Sequence, residues 1–108
     1  MSELARQGEV WRIETAGGRS IPVVIVDSAP FVARRTLIVA AQVREVHELP
    51  ERLLLLAVPL DQPVKGVISV ADLAAYRRER FAEFLGEIGS DTLSAVKNAL
   101  AARFNLDG

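Results

Sequence analysis

No cysteine occurs in this chain. A disulfide framework, a thiolate metal site and a cysteine nucleophile are therefore excluded. Lysine is scarce, with only Lys65 and Lys97 against eleven arginines. Histidine occurs once, as His47. No apolar run approaches the roughly 20 residues that span a bilayer, so no membrane association is expected. The stretch from Met1 to Gln7 is polar and carries Glu3, unlike a signal peptide. A cytoplasmic protein is expected. A Gly-rich phosphate loop, an HExxH pair and a dinucleotide fingerprint are all missing, and no cofactor or metal is expected. The net charge is −1, so the molecule as a whole does not attract nucleic acid.

Half of the 108 residues are hydrophobic, which suits one domain, residues 1–108, with a modest core. The arginine bias has two readings. Arginine suits bidentate contacts to phosphate, and a GC-rich coding sequence also favours it.

The N-terminal stretch carries the clearest pattern. In Gly8-Glu9-Val10-Trp11-Arg12-Ile13-Glu14, Val10 and Arg12 alternate with Trp11 and Ile13, a period of two that means a strand. Ala16-Gly17-Gly18 supplies turn chemistry for a hairpin. Ile21–Val26 (IPVVIV) reads as a central strand with Pro22 at its start, where a missing N–H costs little. Thr36–Val43 (TLIVAAQV) reads as a third strand and Arg44–Arg52 as a charged loop. Arg52–Val58 (RLLLLAV) is read as a strand, and so is Val64–Val70, where Gly66 marks a bulge or a close approach. Leu73 and Tyr76, with Arg77 beside them, share a helical face, so a short helix is expected over Ala71–Arg80. Phe81–Ile88 reads as the last strand.

Ser90 is a good N-cap for a C-terminal helix. Leu93, Val96, Leu100 and Phe104 follow at helical spacing and are expected to face the sheet. The fold class is mainly β (α+β): a small barrel-like sheet with a short helix and a C-terminal helix packed on it.

These segments, in this order, resemble the MazF/PemK toxin family over nearly the whole chain. Gly8-Glu9-Val10-Trp11 is similar to that family's opening "GEIW", and Pro22-Val23-Val24-Ile25-Val26 to its "RPALVLS". Leu37-Ile38-Val39-Ala40-Ala41 is similar to "VIVAPIT", Lys65-Gly66-Val67-Ile68 to "KGVV", and Gly86 through Leu93 to "GKLSDETL". The resemblance implies an SH3-like or CcdB-like barrel, a homodimer, a cognate antitoxin as partner, and cleavage of single-stranded RNA by metal-independent transesterification. In that reaction a base takes the proton of the ribose 2′-OH, a cation stabilises the phosphorane, and an acid protonates the leaving 5′ oxygen.

The family commonly places an arginine just before the proline of the second strand, and a threonine or serine at the end of the third. Here Ile21 precedes Pro22, and Arg19 lies two residues earlier. A two-residue slide keeps a side chain on the same strand face, so Arg19 is the candidate cation, with a solvated turn as its other reading. Val43 falls at the threonine position and cannot hydrogen-bond. Arg44 and His47 are the candidates to compensate. Histidine is the residue type suited to acid–base work near neutrality, with a solvated loop histidine as the blander and preferred reading.

Arg34, Arg35 and Gln42 are candidate substrate contacts. Asp72 is displaced by one residue from the register of an acid found in some relatives, which would turn it to the opposite strand face. Arg77-Arg78-Glu79-Arg80 reads as a solvated helix face, and Trp11 as core, dimer interface or a stacking partner for a base. The other function class is a non-catalytic toxin or binding module of the same fold, acting on a protein such as DNA gyrase. Residues 105–108, Asn-Leu-Asp-Gly, do not resemble the aromatic tail of CcdB gyrase poisons.

Overall fold

The computed structural model describes residues 6–27 and 36–107, except the side chains of Leu53, Leu55 and residues 105–107. Its framework is a six-stranded antiparallel sheet in the order β4-β5-β3-β2-β1-β6. The strands are β1 (Glu9–Glu14), β2 (Ser20–Ile25), β3 (Leu37–Arg44), β4 (Ala57–Leu60), β5 (Gly66–Arg77) and β6 (Phe81–Glu87). The sheet is open, with β4 and β6 as its edges. A helix, α1 (Ser90–Asp107), follows β6.

β1 and β2 form the expected hairpin, pairing Val10 with Val24 and Ile13 with Ile21. The turn closes through the Thr15 amide on the Arg19 carbonyl (2.8 Å) and the Gly18 amide on the Thr15 carbonyl (3.0 Å). Gly18 sits at φ +82°, a left-handed conformation that glycine adopts without steric cost. β2 pairs with β3 from Val23 onward, so Pro22, which has no N–H, lies before that ladder begins.

Alternation sorts the apolar residues onto two faces. Val10, Val24, Ala41, Val43, Ile68 and Val70 share one cluster with Val96 and Ala99 of α1. Trp11, Ile13, Val23, Ile25, Ile38, Ala40 and Phe81 form the cluster on the other face. Trp11 is buried, its indole N–H donates to Glu9 Oε1 at 3.0 Å, and Phe81 packs edge-on against its ring. Trp11 is therefore a core residue within one chain, with no face offered for stacking on a base.

Two expected elements are corrected. The leucine run over Arg52–Val58 is not a strand along its length. A 3₁₀ turn spans Glu51–Leu56, and β4 starts only at Ala57. A continuous apolar run carries no period, so it could not separate these outcomes. β4 passes through Pro59, which an edge strand tolerates.

The short helix expected over Ala71–Arg80 is absent. β5 runs unbroken to Arg77 and pairs Leu73–Arg77 with Leu37–Ala41, and a 3₁₀ turn then covers Arg78–Arg80. The backbone groups of Ala74 and Ala75 find partners in β3, and that pairing overrides local helix preference.

On α1, Val96 and Ala99 are buried, Leu93 and Leu100 are half-buried, and Phe104 is 61% exposed. The packed face thus turns away from Phe104, which does not join the sheet as expected. Leu100→Ala should accordingly cost less than the roughly 2–5 kcal/mol typical of a fully buried leucine. Urea unfolding measures this, and a loss inside that range would contradict the partial burial.

Candidate active site

On the face opposite α1, apolar positions give way to polar ones at one end of the sheet. Thr15 follows Ile13 by two residues, and Arg19 precedes Ile21 by two. Gln42 and Arg44 continue the series Ile38, Ala40 along β3. Side chains two apart share a face, and the pairings Ile13–Ile21 and Val23–Gln42 bring these ends together. A cleft of about 320 Å³ results, lined by Thr15, Arg19, Ile21, Gln42, Val43, Arg44 and Glu48. Arg19, Gln42 and Arg44, three of the candidates read from sequence, therefore stand around one cavity.

Each polar group in the cleft has a distinct setting. Arg19 is exposed, and its guanidinium has no hydrogen-bond or ion-pair partner among the described residues. Its amide donates to Thr15 Oγ1 at 3.2 Å, which leaves the Thr15 hydroxyl proton free for a ligand. Gln42 Nε2 donates to Tyr76 Oη at 3.2 Å. Glu48 Oε1 accepts from the Glu45 amide at 3.0 Å and lies 3.9 Å from Arg44 Nε. Thr15 and Glu48 were not singled out in the sequence. The alternation of β1, continued two residues past Ile13, would have found Thr15.

Arg44 is held from the far side. Its Nη1 donates to Asp72 Oδ2 at 3.2 Å, and the Ser69 hydroxyl donates to the same oxygen at 2.7 Å. Ser69 is buried, and Asp72 is half-buried. Simple alternation turned Asp72 to the opposite face, and a bulge overturns that expectation. β3 moves one residue, from Gln42 to Ala41, while β5 advances from Ser69 to Leu73. The extra length rotates Asp72 back beside Ser69. Gly66 admits a close approach here: a Cβ on it would lie 2.7 Å from the Arg44 carbonyl oxygen.

His47 does not join this cleft. It lines a separate one of about 470 Å³ with Glu45, Lys65 and Gly66, and its Nδ1 lies 3.2 Å from Glu45 Oε2. Val43 borders the Arg19 cleft, while its side chain is buried in the cluster beneath α1. Arg34 and Arg35 lie outside the described residues. Among the described residues, no three His, Cys, Asp or Glu side chains gather as metal ligands.

The fold matches that of known toxins. The model of the PemK-like, MazF-like toxins of type II toxin–antitoxin systems matches residues 6–104, and the chain belongs to that family. Among solved structures, an endoribonuclease from a mycobacterial species superposes with a TM-score of 0.80 at 20% identity, over 97% of this chain and 94% of that one. An endoribonuclease in complex with its cognate antitoxin, also mycobacterial, gives 0.80 at 20% identity, over 97% and 96%. A MazE–MazF complex from Deinococcus radiodurans gives 0.77 at 24% identity, over 96% and 98%. At these identities the likeness is one of fold. A search of curated proteins finds no match to the sequence. Among the described residues, no helix is long and apolar enough to cross a membrane.

Proposed function

We propose that this family member is a toxin that cleaves single-stranded RNA by metal-independent transesterification, with its chemistry in the Arg19–Arg44 cleft. The observation that carries this reading is the unpartnered Arg19 guanidinium facing a cavity that also holds Arg44, Thr15 and Glu48. The scissile phosphate sits between the two guanidinium groups, which stabilise the added negative charge of the phosphorane. Glu48 takes the proton of the 2′-OH through Oε2, the carboxylate oxygen not engaged by the Glu45 amide. The 2′ oxygen then bonds to phosphorus, the P–O5′ bond breaks, and the 5′ oxygen takes a proton from water.

The Thr15 hydroxyl donates to a non-bridging oxygen and so takes over the hydrogen bond that Val43 cannot make. Gln42 contacts the substrate beside it. Asp72 and Ser69 are positioning residues for Arg44. In this assignment His47, on the neighbouring cleft, is outside the proton path.

The same reading includes a two-fold homodimer through the early strands, neutralisation by a cognate antitoxin, and a cytoplasmic site of action. Exposed Leu37 and Phe84 offer apolar surface near those strands. Sedimentation at micromolar concentration should give twice the chain mass, and a monomer would contradict the dimer.

Induced expression in bacterial cells tests the toxin and the nuclease together. Growth should stop and cellular RNA should be cut. Growth arrest with intact RNA would favour the non-catalytic toxin acting on a protein target, and no arrest would favour a binding module.

A further inference from the structure

We infer that the depression lined by Tyr76, Arg77 and Arg80 is a second phosphate-binding position for single-stranded RNA, continuing the Arg19–Arg44 cleft across Thr15. The inference rests on the nuclease reading above and extends it along the strand.

The depression has a volume of about 280 Å³ and is lined by Glu14, Thr15, Ala16, Ala75, Tyr76, Arg77 and Arg80. Thr15 lines both cavities. The two are also joined by the bond between Gln42 on one side and Tyr76 on the other. The two cavities therefore adjoin at Thr15.

Charge pairing distinguishes the arginines around Thr15 from those held by acids elsewhere on the sheet. Arg6 pairs with Glu87, Arg12 with Glu83, and Arg44 with Asp72. Arg19, Arg77 and Arg80 have no carboxylate partner among the described residues, and all three are exposed around Thr15. Among the described residues the Arg80 guanidinium makes one hydrogen bond, to the Glu14 carbonyl oxygen at 3.5 Å, long for an N–H···O bond. Two exposed guanidinium groups with no carboxylate paired to them outnumber the one acid of the lining, Glu14, and form a local anion site beside the proposed phosphodiester cleft on a chain of net charge −1. Arg77 and Arg80 reach this place because β5 continues as a strand to Arg77 and the 3₁₀ turn Arg78–Arg80 then swings Arg80 toward β1. Contacts to phosphate position a strand and do not read its bases, so this site adds affinity without sequence preference.

The test is equilibrium binding of a fluorescent RNA oligonucleotide carrying 2′-deoxyribose throughout the cleavage region, so that it cannot be cut. Wild type, the double variant Arg77→Ala/Arg80→Ala, the charge-retaining variant Arg77→Lys/Arg80→Lys and the exposed control Arg52→Ala are titrated over a range of salt. The double alanine variant should bind at least about 10-fold more weakly, as expected for losing hydrogen bonds between charged groups. Its slope of log K against log salt should be shallower by about 0.7 for each phosphate the protein no longer neutralises.

The lysine variant should keep most of that slope, and Arg52→Ala should behave as wild type. A double alanine variant that tracks Arg52→Ala would overturn the second site while leaving the nuclease reading intact. Binding that depends on Arg77 and Arg80, in a protein that fails to cut the all-ribose oligonucleotide, would support the site and remove the nuclease. Failure of wild type to bind would overturn both.

Discussion

Replacing Arg19 with alanine is expected to lower cleavage of single-stranded RNA by at least about 100-fold, the usual loss when a group stabilising transition-state charge is removed. The fold should survive. Arg19 is exposed, and the bonds it makes in the hairpin turn come from its backbone, which alanine retains. Surface substitutions of this kind usually change stability by no more than about 0.5 kcal/mol. Single-turnover cleavage by the purified variant, alongside its thermal unfolding, separates the two effects. Cleavage at the wild-type rate would remove Arg19 from the site.

Arg44→Ala should be at least as damaging, about 100-fold or more in kcat/KM. It removes the second cation of the proposed site and also leaves Asp72, half-buried, without its arginine partner. Asp72→Asn provides the finer test. It keeps the shape and can still accept from Ser69, but it removes the charge that holds Arg44. A drop of about 10-fold in kcat with little change in KM is expected, at the lower end of the loss of a hydrogen bond between charged groups. A purely structural role for Asp72 would instead lower the unfolding midpoint and leave kcat per folded molecule unchanged.

The parts of the fold that alternate were legible in the sequence. Val10 through Glu14, the Ala16-Gly17-Gly18 turn and the run after Pro22 form the hairpin that the pattern implied, and the two-residue step from Ile21 does place Arg19 at the cleft. Period-two reasoning failed where the backbone departs from a regular ladder. The bulge between Ser69 and Leu73 interrupts the alternation. It hid the return of Asp72 to the Arg44 face, whereas Leu73 and Tyr76, three apart in a regular stretch of β5, fall on opposite faces of the sheet. The leucines after Arg52 failed for another reason, since an unbroken apolar run has no phase to read. Glu48 reaches the cleft through the 3₁₀ turn Val46–Glu48 and its bond to the Glu45 amide. Nothing in a charged stretch distinguishes that geometry from a solvated loop. His47 illustrates the converse, since residue type made it a candidate while its neighbours place it on another cavity.

The reading as a nuclease is tested most directly by the ends of the RNA it makes. The purified wild-type protein is incubated with a single-stranded RNA in the presence of a chelator, and the fragments are analysed by mass spectrometry. Attack by the 2′ oxygen predicts a 2′,3′-cyclic phosphate or 3′-phosphate on one fragment and a free 5′-OH on the other, at a rate the chelator does not change. Fragments bearing 5′-phosphates, cleavage abolished by the chelator, or RNA left intact would contradict it.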